Sequence, residues 1–211
     1  VTNPRSRRRL IVALVVVAVA VPTAVWGVSV YLRGQAPKGT PLSGLTPPAV
    51  CALPESVLAQ TRTHNFREYE QTGQQARDDA PDLDFSCAWD QLEGRDGVDS
   101  RSIGWRAYRF DGPDGDERAR RRYESLRTIP SVRPPFETRD ADGFAGQASV
   151  QQKVDKSGNT ELALIVLDRN RVVVVRVDAA DQRLLWTRPT PFPVAESLTA
   201  LVAREVLQRP W

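Results

Sequence analysis

The 211-residue chain carries 29 Lys and Arg against 26 Asp and Glu, a single histidine and a formal net charge of +3. The surplus is local: Arg5, Arg7, Arg8, Arg9 and Arg33 precede every acidic residue, so residues 34–211 hold 24 basic against 26 acidic groups, a net charge of −2. A slightly acidic body lacks the extended basic surface from which nucleic-acid binding draws its affinity, and no nucleic acid is expected as a partner. Only three of the basic residues are lysine, methionine is absent and residue 1 is valine. We read this as the literal translation of a GTG start in a GC-rich bacterial gene.

Leu10 to Leu32, "LIVALVVVAVAVPTAVWGVSVYL", runs 23 residues without a charge. A helix of that length is about 34 Å long and reaches across a bilayer core. Trp26 and Tyr31 lie toward its far end, where amphipathic rings favour the interface, and Pro22 is a mid-span residue that membrane helices tolerate. Arg5, Arg7, Arg8 and Arg9 precede the run and Arg33 follows it. The positive-inside bias then predicts a cytoplasmic tail over 1–9, a transmembrane helix over 10–32 in contact with the lipid bilayer, and an extracytoplasmic remainder. A cleavable signal peptide ending at Ala18-Val19-Ala20 is the alternative; the apolar run continues twelve residues past Ala20, long for such a segment. Both readings export the body.

Residues 33–48 form a linker rich in proline and glycine, and 49–211 form the extracytoplasmic domain. Pro54 and Glu55 open a short helix over 54–62. Residues 68–84, "EYEQTGQQARDDAPDLD", read as a polar loop. Strands follow near 84–91 and 101–110, joined by the turn "EGRDGVDS". In the second, Ile103, Trp105 and Ala107 share one face while Arg106, Tyr108 and Phe110 share the other. A helix over 114–128 buries Ala119, Tyr123 and Leu126 and stops before Pro130. After a Pro-rich connection over 130–136 comes a strand at 147–154.

"TELALIVLDRNRVVVVRVDA", 160–179, reads as a hairpin turning at Arg169-Asn170. Pairing Asp168 with Arg171 sets Leu162, Leu164 and Val166 opposite Val177, Val175 and Val173 on a wholly apolar face. "QRLLWT", 182–187, adds an edge strand. A last helix over 194–207 spaces Val194, Leu198, Leu201, Val202 and Val206 on one side. The expected fold class is α+β: an antiparallel sheet of about five or six strands, helices packed mainly on one face, preceded by one transmembrane helix.

Cys51 and Cys87 are the two cysteines of the chain. In an oxidising compartment they are most simply a disulfide, which would tie the first helix to the strand carrying Cys87 and Trp89. The bridge would close the polar segment and put Cys87 and Trp89 on the core side.

"CALPESVLAQ", then "CAW", "GFAGQASVQ", a valine-rich strand and a closing amphipathic helix together resemble actinobacterial extracytoplasmic lipoprotein domains of unknown function. They also resemble the external sensor domains of some actinobacterial receptor kinases. The resemblance covers roughly residues 48–208 and implies an α+β fold and export. It supplies no catalytic residue, and a transmembrane segment stands where the lipoproteins carry an acylated cysteine.

No catalytic, metal or cofactor-binding residue is assigned, and no cofactor is expected. His64 lacks a G-x-S-x-G partner and reads as a surface or capping residue. Asp111, Asp114, Asp116 and Glu117 could ligate calcium but fit better as acids at a helix start. Arg118, Arg120, Arg121 and Arg122 read as a solvated face paired with acids four residues earlier. Trp89, Trp105 and Trp186 could stack on a sugar but fit core packing better. The sequence therefore predicts a non-catalytic, membrane-anchored extracytoplasmic domain that binds an envelope protein or glycan. An envelope hydrolase using a carboxylate pair, or a sensory or assembly subunit acting through a membrane partner, are the alternatives.

Overall fold

A computed structural model describes residues 17–29, 45–72, 80–91, 100–128, 137–182 and 187–211. The chain divides into two compact units, Val1–Pro37 and Lys38–Trp211. Arg5, Arg7, Arg8, Arg9, most of the 33–48 linker, the 130–136 connection and Trp186 lie outside the described residues.

In the first unit, residues 17–29 form one helix, α1, whose valines and Trp26 are exposed. Pro22 sits inside it, and the Thr23 hydroxyl donates to the Val19 carbonyl at 2.6 Å. The expected span of 10–32 is thus described over thirteen residues. Among the described residues no helix is long and apolar enough to cross a membrane.

The second unit is built on one antiparallel sheet. Its strands are β1 (Asn65–Gln71), β2 (Leu83–Asp90), β3 (Ser100–Arg109), β4 (Glu137–Asp140), β5 (Gln147–Val154), β6 (Thr160–Asp168), β7 (Arg171–Gln182) and β8 (Thr187–Pro189). They lie in the order β1-β2-β3-β7-β6-β5-β4, and β8 pairs with β7. The helices are α2 (Glu55–Thr61), α3 (Gly115–Thr128) and α4 (Phe192–Leu207). The sheet is larger than the expected five or six strands because β1 and β4 are polar edge strands without hydrophobic alternation. β1 begins at Asn65 and runs into the segment read as a loop, over residues 68–71. It pairs with β2 through a register shift between Phe66 and Glu68, an irregularity suited to an edge.

The hairpin register follows the apolar pattern. Leu162, Leu164 and Val166 face Val177, Val175 and Val173, and Asp168 faces Arg171. Slipping by one residue would turn those six side chains away from the core. Arg169 takes the left-handed conformation in the turn, with φ 54°. At the start of β5, Gly146 lies so close to β6 that a Cβ there would collide with the Leu167 carbonyl.

Both faces of the sheet are covered, in unequal measure. On one, Phe66, Phe85, Cys87, Trp89, Ile103, Trp105, Val150 and the hairpin side chains Leu164 and Val175 join α2 and α4 in a single cluster. On the other, α3 packs Ala119, Tyr123 and Leu126 on Tyr108, Phe110, Ile165, Leu167, Val172 and Val174. Helices were expected mainly on one face. α3 takes the opposite one because Tyr108, Ile165, Val172 and Val174 give the reverse face its own apolar area.

α4 begins at Phe192 and buries Ala195, Thr199, Val202, Ala203 and Val206. That stripe is rotated from the expected one, leaving Val194 exposed. Small residues at i, i+4 and i+8 let the helix approach the valine-rich strands closely.

Cys51 and Cys87 form a disulfide with a Cα–Cα distance of 5.7 Å. Trp89, two residues along the same strand face, donates from its indole nitrogen to the Cys51 carbonyl at 3.3 Å. Phe66 packs edge-on against Trp89 with ring centroids 5.2 Å apart. The bridge therefore ties the segment before α2 to β2 in the larger core, where Phe66 of the edge strand β1 packs on Trp89.

Candidate functional site

The strand pairings arrange the α3 face of the sheet in rows. One row reads Ser149, Ile165, Val174, Arg106, Ser86 and Glu70 from β5 to β1. The next reads Gln151, Ala163, Arg176, Gly104, Ala88 and Glu68. A third reads Lys153, Glu161, Asp178, Ser102, Asp90 and Asn65. The apolar cluster under α3 ends at Ile165 and Val174. Beyond it the face turns small and polar.

At this boundary lies a groove of about 300 Å³. Its floor comprises Ser86, Ala88 and Gly104, its α3 side Leu126, Tyr108 and Val174, and its charged margin Arg106, Arg176 and Glu68. Residue size makes the depression, since the neighbouring strands β2 and β3 contribute residues with little or no side chain. Gly104 is constrained as well, because a Cβ there would lie 3.3 Å from the Cys87 carbonyl. The groove is at the lower end of the usual range for small-ligand sites.

The charges around it differ in how fully they are matched. Arg106 donates to both Asp84 oxygens, at 2.7 and 2.6 Å, a planar two-point pair. Those bonds hold its guanidinium above the usual arginine range. Tyr108 lies between two guanidinium groups, Arg106 at 5.3 Å and Arg122 at 4.5 Å from the ring centroid. Arg122 also donates to the Tyr108 hydroxyl at 3.0 Å. In the third row Lys153 contacts Glu161 at 2.6 Å, and Asp90 accepts from Asn65 and Arg67 at 2.7 and 2.9 Å. Arg176 and Glu68 are exposed, and neither has a hydrogen bond or ion pair among the described residues.

Glu161 and Asp178 stand directly opposite each other on β6 and β7. Partial burial pushes the Asp178 carboxyl above its ordinary range, and repulsion from Glu161 and Asp155 adds to the shift. Asp178 nevertheless keeps much of its surface in solvent, so we give the like-charge neighbours the greater weight.

The residues singled out in the sequence are mostly structural. His64, beyond the end of α2, approaches Glu55 of its first turn at 3.5 Å. Asp111 pairs with Arg109 at 3.1 Å, and Asp114 and Glu117 pair with Arg118 and Arg121. Arg120 pairs with Glu117 rather than with the expected Asp116. Among the described residues no three His, Cys, Asp or Glu side chains are grouped to hold a metal ion. Half of the arginine run is not a solvated face: Arg118 lies over Phe110 and Arg122 over Tyr108. Trp89 and Trp105 are core residues. The groove was missed because its floor residues are unremarkable singly and Glu68 was placed in a loop. Register across three strands brings them together.

No known protein-family profile matches the chain, and no curated protein matches it. Among solved structures it is similar to the extracellular domain of PknH from Mycobacterium tuberculosis. That likeness has a TM-score of 0.46 and 7% sequence identity, covering 76% of this chain and 94% of that one.

Proposed function

We propose that the chain is a single-pass, membrane-anchored extracytoplasmic domain that binds a protein or cell-envelope component without catalysing a reaction on it. The observation that carries the binding half is the groove beside α3, kept open by Ser86, Ala88 and Gly104 and flanked by Arg176 and Glu68, two charges that make no hydrogen bond or ion pair among the described residues. Its lining offers no nucleophile held by a base: the hydroxyl groups are Ser86 and Tyr108, and neither is beside a histidine.

The anchoring half rests on an unbroken apolar sequence and on α1, a helix exposed on every side. A helix apolar all round needs an apolar surrounding, and a bilayer supplies one. The disulfide supports an oxidising location for the body. A reporter fused after Trp211 tests this topology. A periplasmic-type phosphatase should be active there, and activity of a cytoplasm-only reporter would overturn the reading.

One observation favours a second reading, an envelope hydrolase: the facing carboxylates Glu161 and Asp178, with Asp178 shifted toward the protonated form. On that reading, purified chain would cleave chromogenic glycosides and Asp178→Asn would abolish the cleavage. The binding reading predicts no turnover by either form.

A further inference from the structure

We propose that the groove takes a short zwitterionic peptide laid across the strands, its carboxylate held by Arg176 and its ammonium group by Glu68. The inference rests on the reading of the groove as a binding site and names the class of ligand.

The two charges sit on one row, with Gly104 and Ala88 between them. Three inter-strand steps separate them, about 14 Å at the spacing of a sheet. An extended tetrapeptide is about 13 Å long. The residues between carry no long side chains, so a ligand backbone can lie directly on the floor. Leu126 and Val174, on the α3 side, offer apolar contact to its side chains.

Several other charges nearby are already matched. Arg106 is held by Asp84, Glu161 by Lys153, and Asp90 by Asn65 and Arg67. Asp178 adjoins Arg176 along β7 and attracts it, without a direct ion-pair contact among the described residues. Glu70 shares the face of Glu68, so the β1 end favours a cation and the β7 end an anion. A purely anionic ligand would set its charge against Glu68, and a purely cationic one against Arg176. A neutral ligand would desolvate both charges and pair neither.

The probe is tetra-alanine with free termini, compared with its N-acetylated and C-amidated forms. Each is titrated into the ¹⁵N-labelled full chain in dodecyl maltoside micelles and followed by amide shifts. Free tetra-alanine should move the Ala88 and Gly104 amides, and capping either end should weaken binding by about tenfold, the loss of one charge-assisted contact. Arg176→Gln should abolish discrimination between the acid and the amide. Glu68→Gln should abolish discrimination between the free and acetylated amine. Because both side chains are exposed and make no hydrogen bond or ion pair among the described residues, the variants should unfold at the parent temperature, which a melting curve checks. Equal binding of capped and free peptides in the groove overturns the zwitterion and leaves the binding reading standing. Absence of shifts at Ala88 and Gly104 with all three peptides overturns the proposal, while the reporter fusion tests the membrane topology separately.

Discussion

The two faces of the sheet are made from the same strands and are filled differently. On the α4 face, apolar side chains run from Phe66 on β1 to Val150 on β5, and a disulfide and two helices close over them. On the α3 face the apolar area stops at Val174, and small, polar and charged residues take over. A strand alternates its side chains, so one sequence can commit one face to stability and leave part of the other to recognition. Substitutions should divide accordingly: large losses of stability on the first face, small ones around the groove.

The largest effect should come from Leu164→Asp. Leu164 faces Val175 at the centre of the α4 face and is 1% exposed. The change places a carboxylate with no partner among valines and should cost about 4 kcal/mol, measured by urea unfolding. An unchanged midpoint would mean that this face is not the core. Next is the double change Cys51→Ala and Cys87→Ala. The bridge spans 36 residues, and in the chain-entropy model its loss should cost about 3–4 kcal/mol, with increased amide exchange in α2 and β1. Stability equal to the oxidised parent would place the tie elsewhere.

A smaller effect, of opposite sign, should come from Asp178→Asn. Because the folded-state carboxyl is raised above its ordinary value, the folded chain binds that proton more tightly than the unfolded one. The stabilising contribution is present below the ordinary aspartate range and is lost as pH rises through the raised value. At pH 7 the charged group faces Glu161 unfavourably, so Asp178→Asn should gain about 0.5 kcal/mol, typical of a like-charge cross-strand pair. The gain should vanish below about pH 4. A gain that persists at low pH would point to a cause other than charge. Least affected should be Arg176→Gln and Glu68→Gln, which should leave stability within about 0.5 kcal/mol. A loss above that would make them structural and remove the contrast between the faces.

The same contrast explains what the sequence revealed. The hairpin over β6 and β7 was legible down to its pairing, because each residue on its covered face is apolar and a slip would expose it. The Cys51–Cys87 pair followed from there being two cysteines and an expected export of the body. β1 and β4 were illegible: an edge strand that buries little on either face needs no alternation, β1 is exposed from Arg67 onward and "ETRD" is exposed throughout. The stripe on α4 was misplaced because large residues were weighted over small ones, whereas close packing selected Ala195, Thr199 and Ala203. The groove could not be read along the chain. Ala88, Gly104 and Arg176 become neighbours only when three strands take their registers, and Glu68 joins them through an edge strand that lacks a hydrophobic signal.

The central claim is that the body is held outside the cytoplasm with its larger core closed by the disulfide. Quenching growing cells in acid and then blocking free thiols of the denatured chain with a polyethylene-glycol maleimide tests it directly. We predict no adduct without reductant and two adducts after reduction, one each on Cys51 and Cys87. Two adducts on the chain without any reductant would contradict both the export and the covalent closure of the α4 face.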